Sequence, residues 1–537
     1  MDRVLEECDR AAEGFAADPV HDLRVALRRC RSLADGMIAL DPNPEWKAMK
    51  KAGKRLFQRL GSLRDIQVMV EWLEKLDLAE GEEEKEPGVA RASALRGAHQ
   101  DFGKIHQALA SESRRDPATD SLLKILRDRE AHEKHEARAA LDDFDRKRWR
   151  QWSHSLPVRA ARIRQGSPLF QHLALESWAA AYELHRRALR NRSQTAYHAL
   201  RIGIKRFRYI VENFLPAQHA AWGRDLKGLQ DLLGDVHDLD VLWATAVSSH
   251  VFADSISRQS WRLKVLDKRN RRIQRYRVKM TGPDSLWPVW RAAFPHGKQI
   301  QAIAATRLKF WARQLDPDFA HSQTVATLAL QLYDGLACCN LLAVTGDDGA
   351  RSALLLAALL HDVGRSKRDK GHHKVSYDLI NALTTPLGLK TDDLRRAAII
   401  ARFHRGALPS GRHALLHDLS PAEQKIVFQL IAILRLANAM DAFHDGKIGQ
   451  LRIENAEITV ERNREKRTKG ISPKPTPSLA RNEPLIIAAE GYSPGGAKAQ
   501  IIASERHLLE IVLRRPVILK PLRSGGSRRA PGHARAR

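Results

Sequence analysis

Residues 198–208 read HALRIGIKRFR, and residues 21–31 read HDLRVALRRCR. In each stretch a histidine is followed by cations at the same three intervals: His21, Arg24, Arg28 and Arg31 match His198, Arg201, Lys205 and Arg208. At about 100° per residue, each set falls within roughly 80° of one helix face. Apolar residues between them (Leu23, Val25, Leu27; Leu200, Ile202, Ile204) give each helix a surface to bury. Like charges at i, i+4 cost a helix about 0.2–0.5 kcal/mol per pair. One such row would read as solvated surface; two at identical spacing read as a binding face. Guanidinium forks hold phosphate oxygens in bidentate fashion, so the face suits a multivalent anion.

The repeat runs on. Lys54-Arg55-Leu56 leads through Gly61 to Arg64-Asp65-Ile66, and Lys227-Gly228-Leu229 leads through Gly234 to His237-Asp238-Leu239. The copies lie 177 residues apart at the first helix and 173 at the second. The unit is therefore a helix pair whose joining loop differs in length. The stretches VHDLRVALRRCRS and AYHALRIGIKRFRYIVENF resemble the signature segments of CHAD domains, the conserved histidine α-helical domains. The resemblance covers residues 1–295, in halves of about 1–150 and 165–290. It implies two pseudo-symmetric helical bundles with basic helices lining a groove for inorganic polyphosphate. The two ladders are then the polyphosphate contacts; Arg29 and Arg206 are adjacent and face either way.

The chain has 537 residues and a formal net charge of +27, which call for two to four domains and an anionic partner. Nucleic acid, anionic membrane and polyphosphate all qualify on charge alone. Nucleic acid ranks behind polyphosphate, because no helix-turn-helix, zinc-finger or aromatic-plus-basic strand signature is found. The longest apolar run, near residues 354–360, is too short to enter and cross a bilayer, and the acid-bearing N-terminus has no signal-peptide core. Cys8, Cys30, Cys338 and Cys339 form no spaced framework, and the adjacent pair reads as buried helix. A cytoplasmic protein, associated with polyphosphate granules, is expected.

Along the chain, residues 1–76 read as three helices with Pro42 and Pro44 in a loop. An acidic connection follows at 79–90, then charged helical patterns to 155, with Trp149 and Trp152 assigned to the core. Pro157 to Pro168 breaks the pattern before the second half-repeat. From 298 the chain is again helical but richer in Ala and Leu. Short β-like runs appear at 451–460 and 485–489, around a Pro/Lys/Arg-rich loop at 462–484, and a basic tail closes the chain at 521–537. The expected fold is mainly α: two helical bundles, then an all-helical domain over 298–520 with a small β-containing extension.

Within that domain a buried apolar helix ends in His361-Asp362, followed by Gly364. His321 lies upstream, and His372, His373, His404 and Asp441 lie downstream. Imidazole and carboxylate donors suit a divalent metal such as Zn, Mn, Fe or Mg, which could acidify a water for attack on a phosphate ester or anhydride. The pattern resembles the HD superfamily of metal-dependent phosphohydrolases. The pieces AALLHDVG, GHHKVSYDLI, IIARFHRGALP and LIAILRLANAMDAF make 316–520 similar to the C-terminal domain of the exopolyphosphatase and guanosine pentaphosphate phosphohydrolase family. The resemblance implies His321, His361 and Asp362 as metal ligands; Asp441, three residues past Asn438 on the same helix face, is a candidate to stand in for the family's last ligand. Asn438 stands where such hydrolases carry their last metal-binding Asp, and an amide is a poorer ligand for a hard cation. No Gly-rich phosphate loop or alternating strand pattern is present, so the actin-like catalytic region of exopolyphosphatases has no counterpart. Two roles follow: docking or sensing by this domain, or phosphohydrolysis at the His361-Asp362 site.

Overall fold

The computed structural model describes residues 1–78, 116–343, 348–454 and 484–522. The acidic connection at 79–90, most of the 462–484 loop and the tail beyond 522 lie outside the described residues. Two compact units divide the chain at His296/Gly297.

The first unit is helical throughout its described residues. Its elements are α1 (Arg3–Ala12), α2 (Ala17–Ile38), α3 (Pro44–Arg59), α4 (Gly61–Leu78), α5 (Pro117–Asp142) and α6 (Arg146–Ala160). The second half-repeat supplies α7 (Pro168–Asn191), α8 (Gln194–Phe214), α9 (Pro216–Ser248), α10 (Ser255–Met280) and α11 (Leu286–Ala292). The first 76 residues thus hold four helices rather than three, because the chain breaks at Leu60 between α3 and α4. In the second half the matching segment is the single helix α9, which runs through Gly234 without interruption. Pro44 opens α3 at its first turn, where a missing N–H costs nothing. Pro157 lies inside α6, and the break comes only after Ala160.

The two ladder helices, α2 and α8, carry the repeat. Residues 39–43 join α2 to α3, whereas Leu215 alone joins α8 to α9. Those four extra residues account for the fall in offset from 177 to 173. The apolar faces of α2 and α8 are buried through Leu23, Leu27, Leu200 and Ile204, and the two helices pack together. Their approach is close: a Cβ on Gly36 would overlap the Phe214 ring. Trp149 and Trp152 are buried, as expected of core tryptophans.

The second unit contains α12 (Lys298–Arg313), α13 (Phe319–Cys338), α14 (Asp348–Leu360), α15 (His372–Asn381), α16 (Thr391–Arg402) and α17 (Pro421–Met440). A three-stranded sheet follows, of β1 (Leu451–Glu454), β2 (Leu485–Ala489) and β3 (Val517–Pro521), with α18 (Ala497–Leu513) between β2 and β3. β1 pairs antiparallel with β2 (Leu451 opposite Ala489), and β2 pairs parallel with β3 (Leu485 opposite Val517). A parallel pair needs a crossover, and α18 supplies it. Pro521, which the sequence reading gives to the tail, closes β3. The core gathers apolar residues of α13, α14, α16 and α17 with the inner faces of β2 and α18. Cys338 and Cys339 are free thiols at the end of α13. Cys338 is exposed and Cys339 half-buried, so the expectation of a buried pair fails: the helix has left the core by that turn.

Candidate functional site

The ladders converge. Arg24 feels the charge of Arg201, and Arg28 feels Arg201 and Arg208. Lys205 on α8 feels Arg28, Arg201 and Arg24. Cations from both half-repeats therefore share one local field. Burial, with these neighbours, lowers Arg24 to about 10 and Lys205 to about 6, and pulls Arg28 down as well. His21 is lowered by burial, Arg64 and Arg28; His198 by burial, Arg201 and Lys205. Arg31 sits at the next step of α2 and is half-buried.

Several donors of this cluster have no protein acceptor. The Nε groups of Arg28, Arg201 and Arg208 are buried without a hydrogen-bond partner. Other contacts hold the guanidinium groups in place. Arg24 donates to the Phe57 carbonyl at 2.9 Å and lies over the Phe57 ring at 4.1 Å. Arg208 donates to Gln230 Oε1 at 3.0 Å. Glu212 on α8 accepts from Arg29 at 2.7 Å and lies 3.6 Å from Arg208, so Arg29 faces the partner helix. Arg206 is exposed.

Four residues of the second repeat motif belong to the same cluster. Arg64 reaches Glu71 at 2.9 Å and sits near His21, Arg24 and Arg28. His237 Nδ1 meets His198 Nδ1 at 3.2 Å, and burial with Arg201 lowers it to about 4. Asp65 and Asp238, equivalent by the 173-residue offset, lie among the cations and near each other. Burial raises both carboxyls, Asp238 to about 6, against the pull of Arg24 and Arg201 respectively. The matched Asp65/Asp238 motif was in the sequence, but nothing local said that it folds back onto the ladders.

The second unit builds the opposite kind of site. His361 follows α14, and its Nδ1 donates to the Ala358 carbonyl at 2.8 Å. His372, at the start of α15, does the same to Asp369 at 2.7 Å, and His404, just past α16, to Ala401 at 2.7 Å. A neutral imidazole that donates from Nδ1 carries its lone pair on Nε2. All three Nε2 atoms point at one carboxylate oxygen, Asp362 Oδ1: His372 at 3.2 Å, His361 and His404 at 3.5 Å. The Nε2 atoms of His372 and His404 also face each other at 3.2 Å.

Several residues fix this geometry. Ser376 donates to the His361 carbonyl at 2.6 Å and accepts from Gly364 N at 2.9 Å, which ties the His-Asp turn to α15. A Cβ on Gly364 would overlap the His372 carbonyl, so glycine is required by close approach. Arg435 of α17 donates to the Phe403 and Gly406 carbonyls on either side of His404, at 3.0 and 3.2 Å, and is itself held by Glu505 at 2.7 Å. The neighbouring imidazoles hold the Asp362 carboxyl far below its usual range despite burial. In turn Asp362 raises His372, while burial lowers His361 and His404.

Ligand atoms of His321, His361 and Asp362, and those of Asp362, His372 and His404, lie within 4.8 Å of one another. Buried lone pairs with no hydrogen to accept, as at His361 Nε2, fit a cation at this point. Asp441 is placed elsewhere. Its Oδ2 lies 2.8 Å from His321 Nδ1 and its Oδ1 accepts from Gly446 N, so it orients His321 from behind. Asn438 Oδ1 lies 3.0 Å from His321 Nε2. His373 packs edge-on against the His372 and His404 rings, at centroid distances of 5.9 and 6.2 Å, without aiming a nitrogen at Asp362 Oδ1 among the described contacts, and burial with Arg402 lowers it to about 4. A cleft of about 390 Å³ opens onto the cluster, with Arg365, Arg405 and Ile501 in its wall.

The first unit is thus a helical repeat that concentrates cations, and the second a helical domain with a buried His/Asp centre. Residues 1–247 match the CHAD domain, and residues 305–469 match domain III of the Ppx/GppA phosphatases. The chain is a fusion of these two domains. The CHAD match stops before α10 and α11, and the Ppx/GppA match before β2, α18 and β3. No curated protein matches the chain. Among the described residues, no helix is long and apolar enough to cross a membrane.

Proposed function

We propose that the first unit binds inorganic polyphosphate along the shared face of α2 and α8. The observation that carries this reading is the convergence of Arg24, Arg28, Arg201, Lys205 and Arg208, which repel one another in a half-buried setting. A chain of closely spaced negative charges relieves all of these repulsions together and accepts from the unpartnered Nε groups. Both domains of the fusion fit polyphosphate-related work, the second by docking or sensing. The setting is cytoplasmic, at polyphosphate granules.

Titration with polyphosphate tests this. The double reversal Arg24→Glu/Arg201→Glu should weaken binding by about a hundredfold or more, at roughly 1.5–3 kcal/mol for each charged contact. Removal of residues 523–537 should cost far less. The reading fails if tail removal abolishes binding and the reversal, with its helical content intact, does nothing. Short polyphosphate should also displace nucleic acid at equal phosphate concentration.

A second reading gives the second unit phosphohydrolase activity on polyphosphate or a guanosine polyphosphate. It is favoured by the three Nε2 atoms aimed at Asp362. His361, Asp362, His372 and His404, with His321 alongside, would hold one or more divalent cations. Such a cation, when bound, acidifies water for attack on phosphorus. Arg365 and Arg405 would then orient phosphate oxygens at the cleft wall. Phosphate release that needs a divalent metal and is lost in His361→Ala would support this; no release with any of Mg, Mn, Fe or Zn would remove it.

A further inference from the structure

Helix α10 lies beyond the CHAD match and carries a second group of arginines, separate from the ladders. With the α7–α8 junction it encloses a pocket of about 400 Å³. Arg269 and Arg277 come from α10, and Arg192 from the left-handed residue that ends α7 (φ 49°). The Tyr197 ring lines the same pocket, with Arg269 at 5.9 Å from its centroid, and all three guanidinium groups act on its hydroxyl against the burial that raises its pKa. Asn270 and Gln274 add amide groups to the wall.

The charge is not balanced within the protein. Arg269 pairs with Asp240 at 2.7 Å, both largely buried. Arg192 and Arg277 pair with no carboxylate among the described residues. Three cations against one acid leave a net positive pocket.

We propose that Arg192, Arg269 and Arg277 form a separate phosphate pocket that takes a short condensed phosphate, of pyrophosphate or tripolyphosphate size. Convergent guanidinium groups favour an anion with several oxygens and more than one charge. Ligand pockets run from roughly 300 to 1,000 Å³, and this one lies near the lower end. The Tyr197 ring is buried, so it gives a base no face to stack on. The ligand could be a free short phosphate or the terminal residues of a longer chain; the chemistry is shared.

Calorimetry with tripolyphosphate tests the pocket independently of the ladders. The full chain carrying Arg24→Gln/Arg201→Gln should keep one tripolyphosphate site. Adding Arg192→Gln/Arg277→Gln should weaken that site about tenfold or more. Arg192→Glu alone, at an exposed position, should weaken it in the same direction and guards against misfolding. With the ladders intact, a pocket variant that loses affinity for long chains as well as for tripolyphosphate identifies captured chain ends; one that loses only tripolyphosphate identifies a free ligand. The pocket is disproved if the ladder variant binds no tripolyphosphate, or if the pocket substitutions leave binding unchanged. Neither result would bear on long-chain binding by the ladders.

Discussion

The two candidate sites are electrostatic opposites. At the ladders, buried cations crowd one another and several donors lack acceptors. At the His/Asp centre, three imidazole Nε2 atoms crowd one carboxylate oxygen, and that of His361 has no hydrogen-bond partner. Burying an unpaired polar group costs about 1–3 kcal/mol, more when it is charged. A fold bears such a cost where the groups are used, and the sign of the crowding matches the partner proposed for each site: an anion in the first unit, a cation in the second.

The sharpest way to break this comparison is to remove the carboxylate on which the second site turns. Asp362→Asn should reduce divalent-metal binding by about a hundredfold or more, read by elemental analysis after dialysis and by metal titration. Polyphosphate binding by the first unit should not change. Retained metal in that variant would show that the imidazoles converge for packing alone.

The ladders make a pH prediction of defined sign. Lys205 stands at about 6 in the free protein, against a usual 10.5. A bound polyanion lifts it back, so binding takes up a proton between those values. Asp238, raised to about 6, is lifted further by the same anion and adds uptake of the same sign. Affinity should therefore fall as pH rises from 6 to 8, by up to about tenfold per pH unit for each proton linked. Calorimetry in buffers of different ionisation heat checks the uptake directly. An affinity that is flat over this range would mean that Lys205 is already charged.

A smaller effect is expected at Asn438. His321 has oxygen facing both nitrogens, Asp441 at 2.8 Å and Asn438 at 3.0 Å. Asn438→Asp would place a hard, charged ligand beside His321, and divalent-metal affinity should rise about tenfold. A metal titration in which affinity stays the same would put His321 outside the reach of the cation and leave Asp362, His372 and His404 as the centre.

The ladders were legible because each is local: four residues on one helix, repeated. The loop-length difference was legible too, as a shift in offset from 177 to 173. The carboxylates Asp65 and Asp238 were visible as a matched motif, yet their place among the cations depends on how α4 and α9 pack onto the ladder helices. Asp441 shows the same limit. Its spacing from Asn438 puts it on the right face of α17, but a side-chain turn toward His321 Nδ1 makes it an orienting group. His372 and His404 were named only as nearby histidines. Their common aim at Asp362 rests on three carbonyl contacts that no sequence pattern announces. β3 escaped notice because its partner, β2, lies across a helix.

The smallest expected effect tests whether the first unit sacrifices stability for its anion. The folded pKa of Lys205, about 6, lies below its unfolded value, so the unfolded chain binds more protons between about pH 6 and 10.5. Lys205 then opposes folding at pH 7, and the penalty fades as pH rises through that window. Lys205→Met keeps the length of the side chain and removes the titrating amine. The free protein should gain on the order of 1–3 kcal/mol at pH 7 and less at pH 10, by denaturant unfolding of the first unit's transition. Polyphosphate binding should weaken in the same variant. A variant that loses both stability and binding would mark Lys205 as a packing residue, and the repulsion argument would then rest on the arginines alone.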